Sequence, residues 1–199
     1  MDSNTTEVKT TLENEQKELN TLCVNLYGGP GTGKSVQQAL VFARLKIWGV
    51  DAMMSMEAAK RYVYSHSKEI KTQEGLFGIQ LTELELLNKH VEVIVCEAPL
   101  LFNIIYDKAY GNSENTDLHR NVSNKYKQFN NMEFLLTRTH EYQQEGRYQD
   151  ENGAIEVDNI IRNVLRDNGV SPIEIAPYEE NAITIVRKVM ERLGKTPPV

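Results

Sequence analysis

Apolar residues fall along this chain in two rhythms. Short apolar runs alternate with stretches where apolar residues recur every three or four positions. The runs are Thr21 to Tyr27, Val50 to Ser55, Val91 to Glu97, Asn131 to Arg138 and Pro172 to Ile175. Each is the right length for a buried strand. The helical rhythm appears between them. Val36, Leu40, Ala43 and Ile47 mark one face, and Gly49 supplies a left-handed cap. Phe77, Leu81, Leu84 and Leu87 mark a second, interrupted by Gln80. Leu100 to Tyr110 and Leu118 to Phe129 read as two more helices. Val157, Ile160, Ile161, Val164 and Leu165 form a face closed by Asn168-Gly169, and Ala182, Val186, Val189 and Leu193 form a last one ended by Gly194. Strand and helix alternate throughout, which predicts an α/β fold. Residues 1–20 are polar and predict a disordered tail, so the folded domain is expected over 21–199. No repeat and no Pro/Gly-rich linker divides it.

Between the first run and the first helix lies Gly28-Gly29-Pro30-Gly31-Thr32-Gly33-Lys34-Ser35, which fits G-x-x-x-x-G-K-[ST]. Strand, glycine loop and helix are the context this motif needs. Glycines let backbone N–H groups approach phosphate oxygens without a Cβ in the way. The helix N-terminus adds partial positive charge. Lys34 is placed to reach the β- and γ-phosphates of ATP, and Ser35 to ligate Mg²⁺. The loop from Gly28 to Ser35 is therefore the expected nucleotide site.

Composition narrows the partners. The 199 residues are 40% hydrophobic and 25% charged with a net charge of −6. That is ordinary for one soluble domain, and the acidic total disfavours nucleic acid. No run approaches the length of a membrane span, and no signal-peptide core is visible. The expectation is a cytoplasmic protein, monomeric or homodimeric. Cys23 and Cys96 fall in strands and read as buried, unpaired thiols. His66, His90, His119 and His140 are scattered, which argues against zinc.

Further chemistry is expected at the carboxyl ends of the strands, where ligands of open α/β sheets bind. Glu57 follows the second strand. It either accepts hydrogen bonds from a phosphoryl acceptor or stabilises a helix start. Gln80 either points into an acceptor pocket or is an ordinary glutamine at the boundary of its helix's apolar face. Glu97 ends the third strand, in the pattern of an apolar run closed by an acid, and can hold Mg²⁺ or take a proton. Ala98-Pro99 follows it, so the strand ends in a lone acid, which favours a kinase over a water-activating ATPase. The segment from Arg138 to Gln149 carries Arg138, Gly146 and Arg147. It reads either as a lid closing over phosphates, extending to about residue 153, or as a solvated loop whose arginines pair with Glu141 and Glu145. Tyr178, in the loop before the last helix, is a candidate surface for adenine to stack on.

In this order (P-loop, Glu57-x-x-Lys60, Gln80, Glu97-Ala98-Pro99, Arg138, Gly146-Arg147-Tyr148-Gln149) the chain resembles the small P-loop kinases of the nucleoside and nucleotide kinase group. It is most similar to compact versions carried by bacteriophages, often labelled AAA-type ATPases. It is also similar to the ribosylnicotinamide kinase domain of bacterial NAD-salvage proteins. The resemblance spans residues 21 to 194. It implies a three-layer P-loop NTPase fold with a five-stranded parallel sheet in the order 2-3-1-4-5 and a small lid. In a phage-encoded protein the compartment would be the host cytoplasm. Members often carry Asp-Ser-Pro after the third strand, where this chain has Glu97-Ala98-Pro99. The implied activity is transfer of the γ-phosphoryl group of ATP–Mg²⁺ to a nucleoside, a nucleoside monophosphate or a related ribosylated small molecule. Lys34, Arg138 and Arg147 would stabilise charge, and Glu57 and Glu97 would orient the acceptor. The alternatives are an ATPase or nucleotide-dependent switch acting on a macromolecule, and a kinase of a modified base in DNA.

Overall fold

A computed structural model describes residues 20–55, 72–111, 115–139 and 151–198, with only the backbone given at 151 and 152. Five strands and six helices alternate along these segments. They are β1 (Leu22–Tyr27), α1 (Lys34–Ile47), β2 (Ala52–Ser55), α2 (Gln73–Leu87), β3 (Val93–Cys96), α3 (Phe102–Tyr110), α4 (Thr116–Tyr126), β4 (Asn130–Leu136), α5 (Glu151–Asp167), β5 (Ile173–Ile175) and α6 (Glu179–Arg192). The strands form one sheet in the order β2-β3-β1-β4-β5, and every neighbouring pair is parallel. The implied order 2-3-1-4-5 is thus the observed one. Of the expected tail only residue 20 is described. Glu57, Lys60, His66, His140 and the lid residues from 140 to 150, Arg147 among them, lie outside the described residues.

The two faces of the sheet divide its side chains by the period of two that strands impose. Leu22, Val24 and Leu26 of β1, with Val93 and Val95 of β3, pack against Val41 and Leu45 of α1 and against Ala182, Ile185, Val186 and Val189 of α6. Cys23 and Tyr27 of β1, with Ile94 and Cys96 of β3, pack against α3, α4 and α5 and against Leu84 of α2. These are the three layers of the fold. A fully buried Leu or Ile in either layer contributes about 1.5–3 kcal/mol of transfer free energy. Because both faces of β1 are covered, all six of its residues are buried. Both cysteines are buried and unpaired.

One expected face is corrected. Val36, Leu40, Ala43 and Ile47 were the anticipated core positions of α1, yet Val36 is 61% and Ile47 73% exposed, and Ala43 is also exposed. Gln37, Gln38, Val41 and Leu45 are buried instead. The helix is turned by about one residue, and two glutamines place their amide donors against carbonyls inside, while Gln37 Oε1 is buried without a hydrogen-bond partner among the described residues. Gln37 Nε2 donates to the Tyr178 carbonyl at 2.9 Å. Gln38 Nε2 donates to the carbonyls of Ser55 and Val95, both at 2.8 Å. Buried amides with partners cost little. Here they also fasten α1 to the carboxyl ends of β2 and β3, which is where the site forms.

Short polar side chains close the starts of two helices. Thr72 caps α2 by accepting from the Gly75 N–H at 3.2 Å, and Asn115 caps α4 by accepting from Leu118 N–H at 3.0 Å. Among the described residues no helix is long and apolar enough to cross a membrane.

Candidate active site

The glycine loop joins the carboxyl end of β1 to the first turn of α1. Gly33 has φ 80°, a left-handed conformation that a side chain would strain, and the helix begins at the next residue. Gly29 is required for a different reason: a Cβ there would overlap Oδ1 of Asp158. Thr32 is buried and donates its hydroxyl to the Gly29 carbonyl at 2.9 Å, closing the loop on itself. The expected phosphate-binding segment is therefore a preformed, tightly braced turn at a helix N-terminus.

Lys34 folds back along this turn. Its Nζ donates to the Gly28 carbonyl at 2.6 Å and the Gly29 carbonyl at 3.1 Å, and it lies 5.4 Å from the centre of the Phe102 ring. The ring face favours the cation there. Phe102 itself is fixed by stacking on Tyr27 at 5.7 Å and by a tilted contact with Tyr106 at 5.2 Å. Burial, followed by the nearby Tyr126 and Glu133, pushes the Tyr27 phenol well up, so it stays neutral beneath the loop.

Ser35 and Glu97 meet. The Ser35 hydroxyl donates to Glu97 Oε2, and Glu97 is only 5% exposed. The first turn of α1 thus faces the acid just past β3, as their sequence patterns anticipated. The pairing places a hydroxyl and a carboxylate oxygen side by side, a hard-oxygen donor set.

Arg138 follows β4 and also reaches the loop. Its Nη1 donates to the Pro30 carbonyl at 3.0 Å, while Nε and Nη2 donate to Asp158 Oδ2 at 3.1 and 2.9 Å. Asp158, on α5, uses its other oxygen to accept from the Gly29 N–H at 2.9 Å. Arginine and aspartate together brace the outer side of the loop. The loop before α6 braces a second side: Pro177 lies within van der Waals range of a Cβ placed at Gly33. Tyr178, next to it, is 42% exposed.

A protein-family model described as an AAA domain matches residues 23–181. The chain belongs to this AAA domain family. Among solved structures it is similar to a NadR protein in complex with NR (TM-score 0.61, 13% identity, covering 93% of this chain and 58% of that one). It is also similar to a NadR protein in complex with NAD and AMP-PNP (TM-score 0.59, 14% identity, 96% and 59%). A third likeness is to thymidylate kinase from Ehrlichia chaffeensis (TM-score 0.55, 12% identity, 87% and 99%). At these identities the likeness shows the shared P-loop NTPase fold. The chain spans less than two thirds of the NadR chains' length. No curated protein matches it in sequence.

Several residues of this AAA domain site escaped the sequence reading. Asp158 stands beside the apolar Val157 with nothing in its spacing to set it apart from a solvated acid. Glu83 accepts from the Ser55 hydroxyl at 2.9 Å, at the carboxyl end of β2. Asn103, 1% exposed, donates to Gln80 Oε1 at 2.6 Å. Gln80, the interruption in an apolar face, was the one legible signal of this polar cluster, and it is buried. His119 pairs with Asp107 at 2.8 Å on a part of the molecule formed by α3 and α4.

Proposed function

We propose that this AAA domain protein is an ATP-dependent kinase that transfers the γ-phosphoryl group to a small-molecule acceptor, a nucleoside or nucleoside monophosphate. The observation that carries the reading is Glu97 buried against Ser35 at the end of β3, with Ala98 and Pro99 following it, so that the strand end supplies one acid and not an acidic pair.

The residues divide the work. The N–H groups of the Gly28–Ser35 turn and the start of α1 hold the phosphates. Lys34 exchanges the Gly28 and Gly29 carbonyls for β- and γ-phosphate oxygens, a short swing from its present position. Ser35 and Glu97 fit Mg²⁺, which prefers oxygen ligands and takes most of its remaining ones from phosphates and water. When bound, that ion neutralises charge on the β- and γ-phosphates. The acceptor enters beside the ends of β2 and β3. Its hydroxyl oxygen forms the new P–O bond as the bond to the β-phosphate oxygen breaks, and the hydroxyl proton passes to a carboxylate. Glu57 and Glu97 are the carboxylates proposed to orient that hydroxyl, and Glu83 of α2, bonded to Ser55 at the end of β2, joins them as a third. Arg138 anchors the loop from outside, and Arg147 is proposed to contribute charge from the lid. Tyr178 is proposed to stack on adenine.

Family membership supports a second reading, an ATPase or nucleotide-dependent switch acting on a macromolecule. Incubating the full chain with ATP–Mg²⁺ and a panel of nucleosides, nucleoside monophosphates and ribosylnicotinamide distinguishes the two. Phosphorylation of a panel member supports the kinase. ATP hydrolysis that needs no acceptor and rises with added DNA supports the switch and refutes the kinase.

A further inference from the structure

The apolar period along α1 is genuine, but it points away from the core. Val36, Leu40, Ala43 and Ile47 fall at spacings of four, three and four. At 3.6 residues per turn they lie within about 60° of arc, as one stripe. Val36 and Ile47 are 61% and 73% exposed, Ala43 is exposed, and Leu40 is half-buried at the stripe's edge. Gln37, Gln38, Val41 and Leu45 fill the opposite side. The outermost face of a surface helix ordinarily carries charge. This stripe carries none along its length, and Arg44 and Lys46 only flank it. A contiguous exposed apolar face of this kind marks a contact.

A groove of about 290 Å³ runs beside the stripe, between α1 and α6. Leu40, Ala182 and Ile183 supply its apolar lining. Arg44 from α1 and Glu179 and Glu180 from α6 supply charge of both signs. An apolar stripe with a cation and two anions along one flank is complementary to itself. Its positions are symmetric as well. A twofold axis midway between Leu40 and Ala43 sets a second α1 antiparallel to the first. Val36 then meets Ile47 of the second copy, and Leu40 meets its Ala43, so each contact sets a larger residue against a smaller one. The two α6 flanks fall on the same side of this contact, which brings Arg44 of each copy toward Glu179 and Glu180 of the other. Opposite charges at such a rim fix register more than they add affinity.

We propose that the outer face of α1 and the groove beside it form a homodimer interface, with a second copy of this chain bound antiparallel across Val36, Leu40, Ala43 and Ile47. The stripe is about 16 Å long at 1.5 Å per residue, short for a permanent interface, so the dimer is reversible and concentration-dependent. Val36 directly follows Ser35, so the Ile47 end of one copy lies against the first helical turn of the other.

Sedimentation of the full-length chain from about 1 to about 200 μM tests this. The average mass is expected to rise from monomer toward dimer. Ile47→Glu puts charge at a position that is already exposed, so the fold is expected to hold while the midpoint of association moves at least about tenfold higher in concentration. Arg44→Glu should also weaken the pair. Mixing that chain with one carrying Glu179→Lys and Glu180→Lys should restore association beyond either chain alone. A short thiol-to-thiol cross-linker reads the register: Val36→Cys mixed with Ile47→Cys should link, and each alone should not. A dimer indifferent to Ile47→Glu, or Val36→Cys linking to itself, overturns the proposal. A monomer at every concentration overturns it too. Dye that then fails to reach the thiol of Ile47→Cys would assign the face to the chain's own N-terminal segment instead.

Discussion

Lys34 is held at the loop by two carbonyls and an aromatic face, and its removal takes away the positive charge there. Lys34→Ala is expected to lower phosphoryl transfer by at least about 10²-fold, the scale for losing a charge-stabilising donor at a reacting group. The thermal unfolding midpoint should remain near the wild type. Asp158 differs, because two partners depend on it. Asp158→Ala strands the Gly29 N–H and removes the carboxylate to which Arg138 Nε and Nη2 donate. The expected cost is about 1–3 kcal/mol in denaturant unfolding, together with weaker ATP-analogue binding. Gly29→Ala should be as damaging in the wild type and less so combined with Asp158→Ala, since the clash it creates is with that carboxylate. Additive losses in the double variant would show that the brace is not a unit.

At the scale of elements, α1 illustrates what the pattern of residues could and could not show. That a helix follows the glycine loop was plain from the motif and the helical period. Which face it buries was not, because Gln37 and Gln38 look like surface residues until their carbonyl partners from β2, β3 and the loop before α6 are in place. The meeting of Ser35 with Glu97 was legible, since the motif and the strand-end acid each carry their own signal. Asp158 and Asn103 were not, because their roles arise from parallel strands bringing distant helices to one edge. Gln38 gives this scale its prediction. Gln38→Leu keeps the helix but leaves the Ser55 and Val95 carbonyls without their donor. Stability should fall by about 1–3 kcal/mol, and acceptor KM should rise more than kcat falls, because the ends of β2 and β3 lose their tie to α1.

Across the whole molecule, the termini of the sheet are held by charge as well as by packing. Glu92, just before β3, pairs with Lys195 after α6 at 2.6 Å and accepts from the Asp51 N–H at 3.0 Å. Burial raises the Glu92 carboxyl, but Lys195 and the Asp51 amide outweigh it and hold it below the ordinary glutamate value. A carboxylate lowered in the folded state stabilises above its unfolded pKa and loses that contribution as pH falls through its folded value. Wild type should therefore exceed Glu92→Gln in stability at pH 7, and the gap should close on acidification in urea titrations. The two thiols report on the same core. Cys23 beside it and burial push the Cys96 thiol well up, so neither a thiolate nor access is offered there. Thiol-reactive dye should label Cys96 only after unfolding.

All of these features converge on where the γ-phosphate goes. The most direct measurement follows γ-labelled ATP through a reaction with full-length chain, Mg²⁺ and the acceptor panel, and divides the label between phosphorylated acceptor and free phosphate. The kinase account predicts label on at least one acceptor, in excess of free phosphate, and lost in Lys34→Ala. Label that appears only as free phosphate at the same rate with and without acceptors would contradict it.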